Sequence, residues 1–202
     1  GSRTKSMHWL YTDEGSEPHL LAELKRNFPR DHHQSSQERW VSTTAPLDDQ
    51  ADPTLLAFCR QAMLAGEATT AASINLWAEK MVSAILDQVP VEQPWRLHVW
   101  PAYGEGRAGL NRCGLVREAV LERLKKRRRA LLRTLEEGAQ PFSALTSLVQ
   151  LALRSPDEGI VSVAPAPVPW TRRAIVSAFP EGWVPIAEDK AAPSRAFTKL
   201  VE

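Results

Sequence analysis

Residues 52–68 read DPTLLAFCRQAMLAGEA, and they pull two ways. Asp52 followed by Pro53 is helix-start chemistry, because proline at the first helical position gives up an amide that has no partner there anyway. An extended run through Ala57–Ala65 instead completes a β-α-β-β unit, and we take that reading. The upstream chain supplies the other parts. MHWLYT (7–12) is a short apolar, aromatic strand. Ser16 is placed as an N-cap, and Leu20, Leu21, Leu24 and Phe28 then recur at helical spacing until Pro29. RDHHQSSQ (30–37) is read as a polar loop and ERWVSTT (38–44) as a second strand.

Beyond Ser73 the periodicity is clear. Ile74, Trp77, Ala78, Met81, Val82 and Ile85 share one helical face, with Pro90 just past the end. WRLHVW (95–100) alternates like a strand. The loop YGEGRAG leads into one long predicted helix over 110–136, with an apolar stripe of Val116, Val120, Leu124, Leu131 and Leu135, closed by Gly138. SLVQLAL and IVSVAPA flank the turn RSPDEG as two strands, and AIVSAF (174–179) is a further candidate. Residues Pro165–Pro185 are rich in proline and tryptophan and are expected to wrap a surface. Helices and strands interleave without a strict βα repeat, so the fold class is α+β: two small layers, each a sheet with helices on one face.

With 43% hydrophobic and 24% charged residues in 202, the chain has the composition of a soluble globular protein with a core. No apolar run approaches the roughly 20 residues of a membrane span, and we expect no membrane partner. The opening GSRTKSM lacks the apolar stretch of a secretory signal. Cys59 and Cys113 form neither a metal-type pair nor a disulfide framework, which points to a cytoplasmic location.

The net charge is only +1, but its distribution is uneven. Between Arg117 and Arg133 stand eight Lys or Arg against Glu118 and Glu122. KKRRR (125–129) covers more than one helical turn, so every face of the helix is cationic there and cannot pack on a core. The bland reading is a solvated face. The functional one is phosphate contact by Arg117, Arg123, Lys125, Lys126, Arg127, Arg128, Arg129 and Arg133, with Arg172 and Arg173 extending the patch if they fold beside it. GEGRAG (104–109) fits G-x-G-x-x-G between a strand and a helix. A dinucleotide site also needs a second parallel strand ending in an acid about 20 residues on, and KKRRRALLR occupies that place, so a nicotinamide-dependent oxidoreductase is the weaker rival. His32 and His33 lack companions at metal-ligand spacing. The seven tryptophans suit packing better than base stacking.

PSRAFTKL (193–200) resembles the entry to the catalytic domain of FtsJ-type ribose 2′-O-methyltransferases, and with FCRQ (58–61) and the order of elements the chain resembles the RlmM-like enzymes. The resemblance implies a ferredoxin-like subdomain over 1–70, a THUMP-like α/β subdomain over 71–186, and a linker at 187–202 opening onto the chain's own C-terminal methyltransferase domain. It implies ribosomal RNA as partner and S-adenosylmethionine as cofactor of the full-length enzyme, with none bound by this portion. Ser194, Arg195, Lys199 and Leu200 match the family segment, and Lys199 would be the first lysine of a Lys-Asp-Lys-Glu catalytic set. The family's Asp-x-Gly-x-x-Pro-Gly-Gly cofactor loop does not occur in these 202 residues, so catalysis is not expected of them. The alternative is a stand-alone RNA- or protein-binding adaptor. The KKRRR turn and the Pro/Trp-rich segment depart from the family pattern.

Overall fold

Leu10, Val41 and Ala62 form one face of a small sheet, and Leu20 and Leu24 of the first helix close over it. In the computed structural model, which describes residues 7–47, 56–104, 107–138, 143 and 145–164, this unit contains β1 (His8–Tyr11), α1 (Glu17–Asn27), β2 (His33–Ser35), β3 (Trp40–Thr43) and β4 (Gln61–Met63). The strand order is β2-β3-β1-β4 with every neighbour antiparallel. The β1-α1-β2 connection is therefore split, with β3 inserted between the strands it joins.

Two details differ from expectation. The polar loop at 30–37 contains β2, an edge strand fixed by His33, whose Nδ1 is 2.8 Å from Thr43 Oγ1 and whose Nε2 is 2.7 Å from the Phe28 carbonyl oxygen. The extended run at 57–65 shrinks to the three residues of β4. The buried Glu23 carboxylate accepts the amides of Ala57 (2.8 Å) and Phe58 (3.0 Å), while Thr12 Oγ1 donates to the Phe58 carbonyl (2.6 Å). Those bonds turn 57–58 onto α1 and out of the sheet. Asp52 and Pro53 lie outside the described residues.

After β4 the chain changes sheets within three residues. Ala65 takes φ +49°, and Gly66 passes so close to its neighbours that a Cβ there would stand 2.8 Å from Trp9 Cδ1 and 2.9 Å from Ile160 Cγ2. The second unit then contains β5 (Glu67–Thr70), α2 (Ile74–Gln88), β6 (Trp95–Pro101), α3 (Arg107–Arg127), α4 (Ala130–Thr134), β7 (Ser147–Leu153) and β8 (Glu158–Ala164). Its order is β5-β8-β7-β6, parallel only between β6 and β7. The sequence reading missed β5, because EATT on an exposed sheet edge carries no apolar alternation. It did find α2, whose N-cap Ser73 accepts the Leu76 amide at 3.1 Å.

The two faces of the second sheet differ in kind. One face carries Leu97, Val149, Leu151 and Leu153, and it packs on Trp77, Met81, Val82 and Ile85 of α2 and Val116, Val120 and Leu124 of α3. The other meets the first sheet. There Gln150 Nε2 donates to Ala62 O (3.1 Å) and Ser162 Oγ to Leu64 O (2.6 Å), while Tyr11 meets Trp100 edge-on at a ring separation of 5.0 Å and Trp40 stacks on Trp100 at 5.8 Å. His98 lies on this face of β6, in register with Gln150, and is 7% exposed. Burial first, then the Arg96 and Arg117 charges, push its pKa down to about 4.

This packing predicts two outcomes. Gly66→Ala should lower stability by about 1–3 kcal/mol through overpacking, read as a lower urea midpoint at constant m; an unchanged midpoint would contradict the close approach to Trp9. His98 is neutral when folded, so acid protonates the unfolded chain first. Its contribution is intact above the unfolded pKa of 6.5, declines as pH falls from there to about 4, and then levels, a loss of roughly 3 kcal/mol at most. His98→Gln should remove that part of the pH dependence in denaturation curves taken between pH 7 and pH 4.

Candidate nucleic-acid interface

Helix α3 buries Cys113, Val116, Val120 and Leu124 on one stripe, and its apolar pattern then stops. Lys125, Lys126, Arg127, Arg128 and Arg129 are all exposed. The single helix expected over 110–136 is in fact broken here: α3 ends at Arg127 and α4 begins at Ala130. Two forces act at the break. Consecutive cations put like charges three and four residues apart, which weakens a continuing helix. At the same time the chain is drawn to the edge of the sheet. The buried Trp95 indole donates to Leu131 O (2.7 Å), Glu136 N donates to Trp95 O (2.8 Å), and Leu135 makes a parallel bridge to Trp95. Leu131 is fully buried as a result, and Gly138 turns the chain away with φ +92°.

The eight described cations divide into two groups. Arg117 Nη2 donates to both Glu137 carboxylate oxygens at 3.1 and 3.2 Å. Arg123 Nε donates to Glu79 Oε1 at 2.7 Å, and Arg127 approaches the other Glu79 oxygen at 3.8 Å. The hydrogen bond from Arg123 holds the Glu79 carboxyl below its ordinary pKa. Among the described residues, Lys125, Lys126, Arg128, Arg129 and Arg133 are exposed and make no ion pair. Arg172, Arg173 and Lys199 lie outside the described residues, as do the Pro/Trp-rich segment and the strand expected at 174–179.

Beneath this surface is a brace that sequence reasoning missed. Arg96, 2% exposed, donates from Nε to Glu136 Oε1 at 3.1 Å and so ties the segment after α4 to β6. The available signal was alternation in WRLHVW, which sets Arg96 and His98 on the same side as Trp100. Glu79, Glu136 and Glu137 gave no sequence signal for their role, since each meets its arginine across the fold.

The other candidates resolve as structure. Gly104 takes φ +66°, and Gly109 lies against Pro101, where a Cβ would stand 2.9 Å from that ring. The parallel partner of β6 is β7, which ends at Leu153 and is followed by Arg154. A cation therefore stands where a ribose-binding acid belongs. His33 is spent on Thr43 and Phe28, and among the described residues no three His, Cys, Asp or Glu gather to hold a metal. Trp40, Trp77, Trp95 and Trp100 are buried, and Trp9 donates to Gly66 O at 3.2 Å. No described helix is long and apolar enough to cross a membrane.

No family model matches the chain, and no curated protein matches it. Solved structures do. The chain is similar to the structure of a "possible methylase" from Clostridium difficile 630, at 13% identity and a TM-score of 0.52, over 78% of this chain and 41% of that one. It is also similar to a predicted N6-adenine-specific DNA methylase from Listeria monocytogenes, at 13% identity and TM-score 0.49, over 78% and 40%. TrmN from Thermus thermophilus matches at 15% identity and TM-score 0.46, over 80% and 46%. The chain thus spans less than half the length of these structures. At such identities the likeness shows the fold alone, and it is the first match, above 0.5, that carries it: this chain has the α+β fold of part of that protein.

Proposed function

We propose that these residues are the RNA-recognition region of an S-adenosylmethionine-dependent large-subunit rRNA ribose 2′-O-methyltransferase. The RNA assignment rests on one observation above all: five exposed cations without ion-pair partners, held at the break between α3 and α4. The order β2-β3-β1-β4 with its split crossover supports a ferredoxin-like first unit. The reading divides the chain into this unit over 1–70 and a THUMP-like unit over 71–186, and the presence of two separate sheets supports two units. The methyltransferase assignment draws on PSRAFTKL at 193–200 and on the fold shared with a "possible methylase". In this reading Lys199 orients or deprotonates a ribose 2′-hydroxyl, a poor nucleophile that needs a positioned base. The S-adenosylmethionine site and the remaining catalytic groups belong to a domain outside these residues.

Titration of a folded large-subunit rRNA fragment between 50 and 200 mM salt tests the RNA half. Affinity should fall steeply with salt, and replacing Lys125–Arg129 with glutamine should flatten the slope. Binding with an unaltered slope would move the contact elsewhere on the molecule, and no binding would end the RNA reading. The methyltransferase half is tested by reading the gene past the Glu202 codon. An Asp-x-Gly-x-x-Pro-Gly-Gly loop within about 30 residues supports it, and a stop codon there overturns it.

A further inference from the structure

We infer that the turn between α3 and α4 takes double-stranded RNA through its phosphates, with no contact to base faces; this rests on the RNA reading above and narrows it to one class of RNA. The first reason is what the surface lacks. From Arg107 to Gly138 the sequence holds no Phe, Tyr, Trp or His. The ring bonded beneath this segment, Trp95, is fully buried with its indole N–H committed to Leu131 O. Proteins that hold single strands draw about 1–3 kcal/mol per base from stacking on aromatic rings, and this segment offers none.

The second reason is spacing. Lys125, Lys126, Arg128, Arg129 and Arg133 stand within nine residues of chain, across the end of α3 and the start of α4. A duplex presents one phosphate per roughly 1.7 Å of axis when both strands are counted, and a single strand one per roughly 3.4 Å. Over any given length a duplex therefore offers about twice the phosphates of a stacked single strand. So dense a cluster of cations meets more phosphates on a duplex than on one strand. The third reason is that the surface is already formed. Arg128 N donates to Leu124 O (2.8 Å), Leu131 N to Arg128 O (3.1 Å) and Leu132 N to Arg129 O (3.0 Å), and the Arg96–Glu136 bond anchors the chain beyond α4. A fixed cationic ridge matches a stiff helix of phosphates. The bases of an A-form duplex lie deep in a narrow major groove that side chains do not read, so recognition here is by shape and charge.

The test uses the 202-residue chain, two blunt 20-base-pair RNA duplexes of unrelated sequence, and one unstructured strand of the same length, compared by fluorescence anisotropy. Both duplexes should bind within about threefold of each other and at least tenfold more tightly than the strand. Neutralising Lys125, Lys126, Arg128, Arg129 and Arg133 to glutamine should erase that preference and reduce the salt slope by about 4.5, near 0.9 per phosphate contact. If that variant does not fold, Lys125→Gln with Lys126→Gln should reduce the slope by about two. A strand that binds as tightly as the duplexes, or a tenfold difference between the two duplexes, overturns the inference and leaves the RNA reading standing. No binding to any of the three withdraws both.

Discussion

The carbonyls of Ala62 and Leu64 face away from their own sheet, and the molecule is organised around giving them partners. β4 is an edge strand, and a bare edge exposes a row of unpaired backbone groups. Here Gln150 and Ser162, from the middle of the other sheet, supply the missing donors. Two polar residues on the inner face of a sheet would otherwise be costly, since a buried polar group without a partner loses about 1–3 kcal/mol. Each sheet therefore resolves the other's problem, and Tyr11, Trp40 and Trp100 fill the space beside those bonds. This also explains the tight passage at Gly66. Sheets held at hydrogen-bonding distance leave no room for a side chain in the crossing strand.

How far the sequence foretold this depends on the origin of each signal. Helices α1 and α2 were readable because each buries one face and so writes a helical period into its residues, and strands β1, β3, β6, β7 and β8 because each is a short apolar run, β3 and β7 buried along their whole length. Where long-range polar bonds decide the backbone, no local period exists. Glu23 captures Ala57 and Phe58 from 34 and 35 residues away, and so a run that reads as one long strand shortens to the three residues of β4. β2 and β5 are edge strands with polar faces, and nothing in HQS or EATT distinguishes them from loops. The break after α3 was hidden for a related reason. Leu124 and Leu131 are seven residues apart, so the stripe continues in register across it, while the pull on Leu131 comes from the indole of Trp95.

The site shows the same division. KKRRR was visible at once, because a cationic turn on every helix face excludes burial. What the sequence did not show was which cations are already occupied. Arg117 and Arg123 stand in the same run as Lys125 and Arg128, yet both point at carboxylates that reach them from elsewhere in the chain.

That partition accounts for a strong local patch on a chain of net charge +1. A helix end crowded with cations repels itself, and acids placed uniformly around it would relieve the repulsion and cancel the field together. Here the acids lie to one side and beneath. Glu79 binds Arg123 and Arg127 from α2, Glu137 binds Arg117, and Glu136 binds the buried Arg96. Each pairing fixes a backbone segment near the break, and none reaches Lys125, Lys126, Arg128, Arg129 or Arg133. The exposed pairs among them, Arg117–Glu137 and Arg123–Glu79, contribute little to stability on their own. Their consequence is positional: they hold the ridge in place while leaving its outer charges for a polyanion to neutralise.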